Sequence, residues 1–377
     1  MRKIRILHIQ ETIGSGGVER TRLSLAKLLD KEKFEQRIVC QHEVGNIGDE
    51  IRKEGVEIIC LESSIKNIFD IKQHLAVQKI IEDYKPDIIH GAVFEGVTMA
   101  AVNGFIKKVP IVIIEETSDP QNRSWKANLL MRLFSFMSNK VVGVSEGVTE
   151  DYLRKKLKIS DKKITLINNG VKKPREISSE EMLLEKQKWG ISKTDFVFGT
   201  MGRFKNDHHK RFSDLIKAFA DFSATKDNVK LLMVGGIEEY QKPYRQLAEE
   251  LNIADKVIFT GYQPDVTLFY SLMNVFTLVS AYEAFGLVLA EAMLNHLPVI
   301  ATRVGGMKYI VDDNDTGLLV EKFDIKGISL AMEQLFVDKK LCENMGKKGF
   351  YKAVTEYTEE VYVKKVSQMY EQLYSVK

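Results

Sequence analysis

Short runs rich in valine and isoleucine alternate with amphipathic stretches along the whole chain, and this alternation limits the possible folds more than any other feature. Several runs are apolar at consecutive positions, as expected for strands that are buried on both faces of a sheet. The predicted strands are residues 4–9, 37–40, 56–61, 87–90, 109–114, 140–144, 164–168, 196–200, 229–234, 256–260, 275–280, 298–302 and 317–320. The predicted helices include residues 18–29, 71–84, 212–222 and 244–251. This order predicts parallel sheets with helices on both faces.

The alternation runs twice, and the length of 377 residues also suits two domains. We expect the boundary after Val171, because a strongly charged stretch, residues 172–188, separates the two strand–helix series. Residues 1–172 and 173–355 are therefore predicted to form two Rossmann-like, doubly wound α/β domains. Ligands of such sheets bind beyond the carboxyl ends of the strands, so we expect the two domains to face a central cleft.

The last segment has an apolar stripe but no strand after it. The stripe residues follow one another at spacings of four, three and four, which places them on one face of a helix; they are Tyr362, Val366, Met369 and Leu373. A terminal helix of this kind needs an apolar surface to cover. We expect residues 356–377 to pack back on the first domain.

Charge and cysteine content exclude several classes of protein. The 55 Lys and Arg residues nearly balance the 52 Asp and Glu residues, so we expect no nucleic-acid partner. Cys40, Cys60 and Cys342 are too few and too scattered for a disulfide framework or a zinc cluster. We expect no secretion signal, and no apolar run reaches the roughly 18 residues of a spanning helix. The expected location is the cytoplasm, with at most a peripheral contact at the inner face of the plasma membrane.

The first candidate ligand-binding segment is Gly14-Ser-Gly-Gly17, between the first predicted strand and a helix that starts near Val18. Glycines there let the backbone approach a phosphate or a sugar, and the helix N-terminus supplies free N–H groups. A tight turn without a ligand explains the segment equally well. The spacing differs from G-x-G-x-x-G, which disfavours an NAD-dependent oxidoreductase.

The second candidate follows the first strand of the second half. Gly202 and Arg203 come directly after this strand, and Lys210 and Arg211 end the polar loop that follows. Cations at the carboxyl end of a strand are well placed to bind a diphosphate. A solvated loop is the alternative, and the loop also contains another lysine and two histidines.

The third candidate is the segment from Glu283 to Glu291, which follows a predicted buried strand and opens a helix. We expect Glu283 in the loop, residues 285–287 at the helix start, and Glu291 about two turns inside the helix. A carboxylate accepts two hydroxyl donors at once, which suits the diol of a ribose or a hexose. The alternative for Glu291 is a solvent-facing position, which its apolar neighbours disfavour.

Together these segments resemble family 4 of the retaining GT-B glycosyltransferases, the glycosyl transferases group 1. The donor-site signature is Glu283-x7-Glu291, followed by Gly305-Gly306. The other matching segments are Gly16-Gly-Val-Glu-Arg20, Val142-Gly-Val-Ser-Glu-Gly147, Ile167-Asn-Asn-Gly-Val171, Met201-Gly-Arg203 with Lys210, Leu231-Leu-Met-Val-Gly-Gly236, Val257-Ile-Phe-Thr-Gly261 and residues 310–317. The resemblance covers nearly the whole chain, and the motifs are specific when taken together.

The resemblance implies roles for individual residues. Arg203 and Lys210 would bind the donor diphosphate and stabilise it as it leaves, Glu291 would accept from the ribose hydroxyls, and Glu283 would contact the donor sugar. Further donor-binding residues are Gly16 and Gly17 of the first domain and Gly202, Phe285, Gly286 and Leu287 of the second. Members of this family react on one face of the sugar, and the leaving phosphate helps to deprotonate the acceptor. Catalysis would then rest on charge stabilisation and positioning.

The expected acceptor side departs from the family pattern. The family's H-x-H begins at His90, but its second histidine is Ala92 here, and His90 is either a functional or a core histidine. Where many members have a histidine after the next strand, this chain has Glu115 and Glu116. Either carboxylate faces the acceptor, or the pair caps the following helix.

Two further segments have competing interpretations. Asp313-Asn-Asp315 looks like a metal-binding D-x-D, but it lies in a stretch with strong turn chemistry, so we expect no metal and no other cofactor. Residues 123–136 combine the cations Arg123, Lys126 and Arg132 with a predicted apolar helix face of Leu129, Leu130, Leu133 and Phe134. This stretch is either a core helix with charged ends or a weak contact with an anionic membrane surface.

The sequence favours a retaining hexosyl- or N-acetylhexosaminyl-transferase. Its donor would be a nucleotide-diphosphate sugar, with UDP as the expected nucleotide, and its acceptor a glycan or a lipid-linked sugar in surface polysaccharide biosynthesis. A nucleotide-sugar 2-epimerase shares the two-domain architecture but needs acid and base groups that we cannot place. A non-catalytic nucleotide-sugar-binding protein is the third hypothesis.

Overall fold

The computed structural model describes residues 2–14, 16–61, 70–118, 123–205 and 207–376. The chain divides into two compact units. The first unit comprises Met1–Val171 and Tyr357–Lys377, and the second comprises Lys172–Glu356.

In the described part of the first unit, seven parallel strands form one sheet in the order β5-β3-β1-β6-β7-β8-β9. They are β1 (Ile4–Ile9), β3 (Phe34–Cys40), β5 (Glu57–Cys60), β6 (Ile88–Ala92), β7 (Ile111–Glu116), β8 (Lys140–Gly143) and β9 (Ile164–Leu166). The two-residue strands β2 (Thr12–Ile13) and β4 (His42–Glu43) pair beside this sheet. They are too short for a periodic pattern, and the sequence did not predict them.

The helices of the first unit cover both faces of its sheet. They are α1 (Gly17–Leu28), α2 (Ile47–Lys53), α3 (Ile71–Tyr84), α4 (Val93–Ile106), α5 (Trp125–Met137), a π-helix (Gly147–Lys156) and α15 (Glu359–Ser375). The helix α15 buries Tyr362, Val366 and Met369 against a core that includes Ile6 of β1 and Ile113 of β7. Full burial of such a side chain contributes roughly 1.5–3 kcal/mol, so α15 is an integral part of the first unit.

The second unit has the same architecture. Its parallel sheet has the order β12-β11-β10-β13-β14-β15. The strands are β10 (Phe196–Met201), β11 (Val229–Val234), β12 (Val257–Phe259), β13 (Val275–Leu278), β14 (Val299–Thr302) and β15 (Gly317–Val320). The helices are α6 (Ser179–Lys188), α7 (Asp207–Lys210), α8 (Phe212–Ser223), α9 (Glu238–Glu250), α10 (Val266–Ser271), α11 (Leu287–Leu294), α12 (Met307–Ile310), α13 (Ile325–Val337) and α14 (Lys339–Glu356).

Every predicted strand is present, and the observed strand ends differ from the predicted ones by up to three residues. The predicted architecture of two Rossmann-like α/β units is confirmed. The main difference among the predicted helices is in α9, which begins at Glu238 instead of residue 244. This helix continues through Pro243, which removes one helical hydrogen bond. Its buried residues, among them Tyr244 and Ala248, compensate by packing on the core of the second unit.

Candidate active site

The order of strands in the second sheet reverses between β10 and β13, and ligands of doubly wound sheets bind beyond the carboxyl ends at such a point. The strand β10 ends at Met201, directly before Gly202 and Arg203. The neighbouring strand β13 ends at Leu278, five residues before Glu283. The cationic loop and the first glutamate predicted from the sequence therefore leave the same edge of one sheet.

Glycines allow the loop after β10 to pack closely against α8 and against the loop after β11. A Cβ atom on Gly202 would lie 2.6 Å from Cζ of Phe212. A Cβ atom on Gly235, where φ is +106°, would lie 2.4 Å from the carbonyl oxygen of Gly202. Arg203, the next residue, is exposed and forms no ion pair with any described residue. Its guanidinium is therefore available to an anionic ligand.

The predicted phosphate-binding lysine and sugar-binding glutamate contact each other. Lys210 ends α7, and its Nζ donates a hydrogen bond of 2.6 Å to Oε2 of Glu283. The two side chains are 26% and 17% exposed, so solvent and salt screen their attraction less than that of a surface pair. The carbonyl oxygen of Glu283 accepts from the N–H of Gly306 at 2.9 Å, which fixes the loop from a third segment.

Arg211, the cation next to Lys210, has a different environment. Its backbone is in the left-handed region, with φ at +55°, and its guanidinium donates hydrogen bonds of 2.7 and 2.8 Å to Asp214. Asp207, at the start of α7, accepts from the backbone N–H of Ser213 at 2.9 Å. These contacts tie α7 to α8 and give Arg211 a structural role.

The helix α11 begins where the sequence predicted a helix start. Gly286 is its N-cap with φ at +99°, a conformation that favours glycine, and Phe285 is buried beside it. Glu291 lies in the second turn, closer to the helix start than the predicted two turns. Its Oε2 accepts a hydrogen bond of 2.8 Å from the hydroxyl of Tyr270 on α10.

The edge of the second sheet thus has two cations and two carboxylates on segments that follow its strands. Arg203 and Lys210 follow β10, Glu283 follows β13, and Glu291 projects from α11. Cations of this kind bind phosphate oxygens, and carboxylates accept from pairs of hydroxyl groups. The arrangement can therefore bind a ligand that carries both a diphosphate and sugar hydroxyls.

In the first unit, Gly16 and Gly17 lie at the start of α1. Gly16 is the N-cap of this helix, and no side chain among the described residues caps it, so the first N–H groups of α1 point outward from the helix end. Ser15, between the predicted glycines, lies outside the described residues.

The structure places His90 and Glu115 inside the core of the first unit. His90 is 1% exposed, and its Nδ1 lies 2.7 Å from the hydroxyl of Tyr370 on α15. Glu115 is 2% exposed and accepts a hydrogen bond of 2.8 Å from the buried Arg22. Burial raises the pKa of the Glu115 carboxyl, but Arg22 and His90 outweigh this effect and lower it to about 2. These contacts support the core interpretation of His90, and they enclose Glu115 away from an acceptor.

Glu116 also has partners within its own unit. Its Oε1 accepts from Ser118 Oγ and from Arg123, both at 2.8 Å. The alternative prediction, that the glutamate pair caps the following helix, is wrong. Ser124 is the N-cap of α5, and its side chain accepts from the N–H of Ala127 at 3.2 Å.

The predicted apolar face of α5 is only partly correct. Phe134 is buried as part of the core, together with Met131, which the prediction omitted. Leu129 and Leu133 instead face solvent, and they form one stripe with the exposed Trp125 and Phe136; we call these four residues the α5 stripe. The spacing of four, four and three places them on one side of the helix.

The carboxylates of residues 312–315 have partners in the second unit. Asp313 accepts from Arg303 at 2.6 Å and from the N–H of Leu319 at 2.9 Å, and Asp315 pairs with Lys348. Among the residues that the structure describes, no group of three or more His, Cys, Asp or Glu side chains is arranged to hold a metal ion. None of the helices in the described ranges combines the length and the apolar composition needed to cross a bilayer.

Family models match both units. The model of glycosyl transferases group 1 matches residues 182–351, and that of glycosyltransferase family 4 matches residues 15–173. The chain belongs to this family of glycosyltransferases. The predicted GT-B fold class and the predicted enzyme class are thereby confirmed.

Several named proteins are similar to this glycosyltransferase. The N-acetyl-α-D-glucosaminyl L-malate synthase of Bacillus anthracis is 32% identical over 66% of this chain, which spans 62% of that relative. The capsular polysaccharide biosynthesis glycosyltransferase CapM of Staphylococcus aureus is 26% identical over 87% of this chain and 89% of its own. Among solved structures, HepE from Anabaena in complex with UDP has a TM-score of 0.85 and 18% identity, over 98% of this chain and all of that one.

One residue that contacts the predicted site residues was not predicted from the sequence. Tyr270 lies in an apolar stretch before β13, where a buried aromatic residue is expected on packing grounds alone. The hydrogen bond to Glu291 depends on how α10 packs beside α11. No signal in the sequence indicates that contact.

Proposed function

We propose that the protein is a retaining glycosyltransferase that moves a hexosyl or N-acetylhexosaminyl group from a UDP-sugar to a glycan or lipid-linked acceptor in surface polysaccharide biosynthesis. The Lys210–Glu283 contact of 2.6 Å carries this proposal. It brings a cation for the leaving diphosphate beside a carboxylate for the hydroxyls of the transferred sugar. In the bond between the sugar and the diphosphate, Lys210 can therefore contact the phosphate and Glu283 the sugar.

The departure of the diphosphate explains why two cations, Arg203 and Lys210, would be needed at this site. When the bond between the sugar and the diphosphate breaks, negative charge develops on the phosphate oxygens, and Arg203 and Lys210 would stabilise it. Glu283 already balances the charge of Lys210, so it suits hydroxyl binding better than proton abstraction. Deprotonation of the acceptor is then left to the departing phosphate, which is consistent with transfer on one face of the sugar and retention of configuration.

Glu291 supports a nucleotide donor. A carboxylate held in the second turn of α11 can accept from both hydroxyls of a ribose. The N–H groups at the start of α11, near Phe285, Gly286 and Leu287, can approach a phosphate oxygen. The donor-binding role of Gly16 and Gly17 in the first unit stays a prediction. The structure of HepE with UDP and the names of the capsule and lipopolysaccharide transferases among the relatives favour UDP and a surface glycan.

The α5 stripe supports a weak contact with an anionic membrane. Trp125 and Phe136 are 71% and 75% exposed, and no acidic residue occurs from Arg123 to Lys140. Lys126 and Arg132 are also exposed on this helix. Apolar side chains flanked by cations suit the interface of an anionic bilayer, where each nearby cation adds about 1 kcal/mol. Such a contact would bring the protein to a lipid-linked acceptor and implies a cytoplasmic, peripheral location.

The test is transfer from labelled UDP-sugars to isolated cell-surface glycans and glycolipid extracts, with the anomeric configuration of the product read by NMR. We expect transfer with retention, and thermal stabilisation by UDP in preference to GDP or ADP. A nucleotide at one hundred times its dissociation constant would stabilise the protein by about 2.7 kcal/mol. Conversion of the UDP-sugar without an acceptor product would favour a 2-epimerase instead. Binding without any turnover would favour a non-catalytic protein.

A further inference from the structure

A small cavity lies where the first sheet reverses its strand order. The sheet runs β5-β3-β1 on one side and β6-β7-β8-β9 on the other, so the reversal falls between β1 and β6. The cavity is lined by residues at the ends of β1 and β3 and in the first turns of α3 and α4, among them Gln10, Gln41, Gln73 and Glu95. Crevices at this position of doubly wound sheets are where ligands bind.

The backbone around the cavity is unusually tight. The helix α4 begins at Val93, directly after β6 ends at Ala92, and Val93 has φ at +62° although it is β-branched. A Cβ atom on Gly96 would lie 2.3 Å from the carbonyl oxygen of Ile9. The start of α4 is therefore held against the end of β1, and the first turn of α4 forms one wall of the cavity.

Gln10, which lines the cavity, has a side-chain oxygen without a hydrogen-bond partner among the described residues. The residue is 2% exposed, and its Nε2 donates a hydrogen bond of 2.7 Å to the carbonyl oxygen of Thr12. This donation fixes the amide, and its Oε1 has no hydrogen-bond partner in the described part of the chain. A buried acceptor of this kind requires a donor, and the cavity volume of about 10 Å³ is the space of one water-sized group.

The charges around the cavity favour a donor without negative charge. Glu95 lines the cavity and lies in the first turn of α4, where it offsets the positive end of the helix. Burial and the nearby Glu95 and Glu19 raise the pKa of Glu11, the residue after Gln10, whereas His42 opposes this shift. The surroundings are thus rich in carboxylates, which would repel an anionic group.

We propose that this cavity, the Gln10 subsite, binds one hydroxyl group of a neutral sugar acceptor and discriminates against acceptors that carry a carboxylate at that position. The proposal rests on the proposed glycosyltransferase function and names its acceptor class. The hydroxyl would donate to Oε1 of Gln10, and the amides of Gln41 and Gln73 and the carboxylate of Glu95 would surround it.

The experiment measures probe binding to the full chain in the presence of saturating UDP by saturation-transfer NMR. The probes are the methyl glycosides of glucose, galactose and N-acetylglucosamine, with methyl glucuronide as the acidic counterpart. Gln10→Leu removes the oxygen, and Gln78→Leu is the matched control, because Gln78 is on α3 of the same unit but does not line the cavity. Glu95→Gln removes the nearby charge. UDP affinity is measured for every variant by calorimetry.

We expect at least one neutral glycoside to bind the wild type, with affinity at least fivefold lower in Gln10→Leu and unchanged in Gln78→Leu. Methyl glucuronide should bind at least fivefold more weakly than the neutral probes, and Glu95→Gln should reduce that difference. No binding of any probe, equal binding of neutral and acidic probes, or wild-type binding by Gln10→Leu would each overturn the proposal. If the wild type does not bind UDP, that result would instead count against the proposed function. Failure of the Gln10 subsite and failure of the proposed function are therefore distinguishable.

Discussion

The hydroxyl of Tyr270 donates a hydrogen bond of 2.8 Å to Oε2 of Glu291. Tyr270 is 1% exposed, so its ring is fixed by the packing of α10, and this rigidity is transmitted to the carboxylate. Glu291 lies on a different helix, α11, and is partly exposed. The contact holds a carboxylate at the sheet edge in one orientation, which lowers the entropy lost when it binds a ribose.

This relationship leads to a prediction for nucleotide affinity. Glu291→Ala should weaken UDP binding at least tenfold, and Tyr270→Phe should weaken it severalfold because the carboxylate loses its orientation. In the double variant the effect of Tyr270→Phe should disappear, since the two side chains act through one contact. Calorimetric titration with UDP measures all three. Tyr84→Phe is the control, because Tyr84 is a buried, hydrogen-bonded tyrosine of the first unit. Unchanged UDP affinity in Glu291→Ala would remove Glu291 from the donor site.

A second prediction concerns the leaving diphosphate. Arg203→Ala and Lys210→Ala should each lower kcat by two or more orders of magnitude, roughly 3 kcal/mol for one lost contact to developing charge. Lys205→Ala is the control, because Lys205 is an exposed lysine of the same loop. Turnover numbers from a UDP-release assay give the comparison. Near-normal turnover in both test variants, or an equal loss in Lys205→Ala, would refute the assignment.

The buried pair Arg22–Glu115 predicts an effect on stability. Both side chains are almost completely buried, so Glu115→Gln leaves the guanidinium without its counter-ion and should cost about 3–5 kcal/mol in the free energy of unfolding. Urea unfolding at pH 7 measures this cost. Glu82→Gln, which breaks the exposed pair with Lys107, should cost less than 1 kcal/mol. A similar decrease in the free energy of unfolding in both variants would show that the buried pair stabilises the protein no more than the exposed pair does.

The same pair predicts a pH dependence. The pKa of Glu115 is about 2 in the folded protein, whereas its ordinary value is 4.5. The unfolded state therefore binds the proton more readily than the folded state. The contribution of Glu115 to stability is therefore complete above pH 4.5 and is lost as the pH falls towards 2. Unfolding curves of the wild type and Glu115→Gln should converge over this range. A constant difference between them from pH 5 to pH 3 would contradict the assignment.

The α5 stripe predicts salt-sensitive binding to anionic vesicles. Trp125→Ser with Phe136→Ser should abolish co-sedimentation, and Lys126→Glu with Arg132→Glu should weaken it at low salt, because each cation contributes about 1 kcal/mol. Leu330→Ser is the control, since Leu330 is an exposed leucine on α13 of the second unit. If the wild type does not sediment with vesicles at low salt, the membrane contact is wrong and a water-soluble acceptor is favoured.

Activity is predicted to survive excess EDTA. The two cations Arg203 and Lys210 can bind a diphosphate directly, and Asp313 and Asp315 are engaged by Arg303 and Lys348. Turnover measured with and without EDTA, followed by addition of Mn²⁺ or Mg²⁺, tests this expectation. Loss of activity that either ion restores would contradict it.

The architecture of the two units could be predicted from the sequence because buried parallel strands and amphipathic helices leave periodic patterns in a single chain. The predicted ends of the first strand and of residues 229–234 agree with the structure to the residue. The predicted cations and glutamates also reach one sheet edge, because they follow strands that the parallel sheet aligns. Local order and strand direction are sufficient for these conclusions.

Packing between helices decided what the sequence left open. Residues 123–136 contain apolar side chains on more than one face of the helix. Only the packing of α5 against its sheet determines that Phe134 is buried and Leu133 is exposed. His90 and Glu115 became core residues because α1 and α15, distant in sequence, supply Arg22 and Tyr370. The sequence by itself thus determined the elements and the residue types at the sheet edge beyond β10 and β13, because these signals lie within one strand or helix. The environment of each polar group depends on contacts between remote segments, which only the tertiary structure specifies.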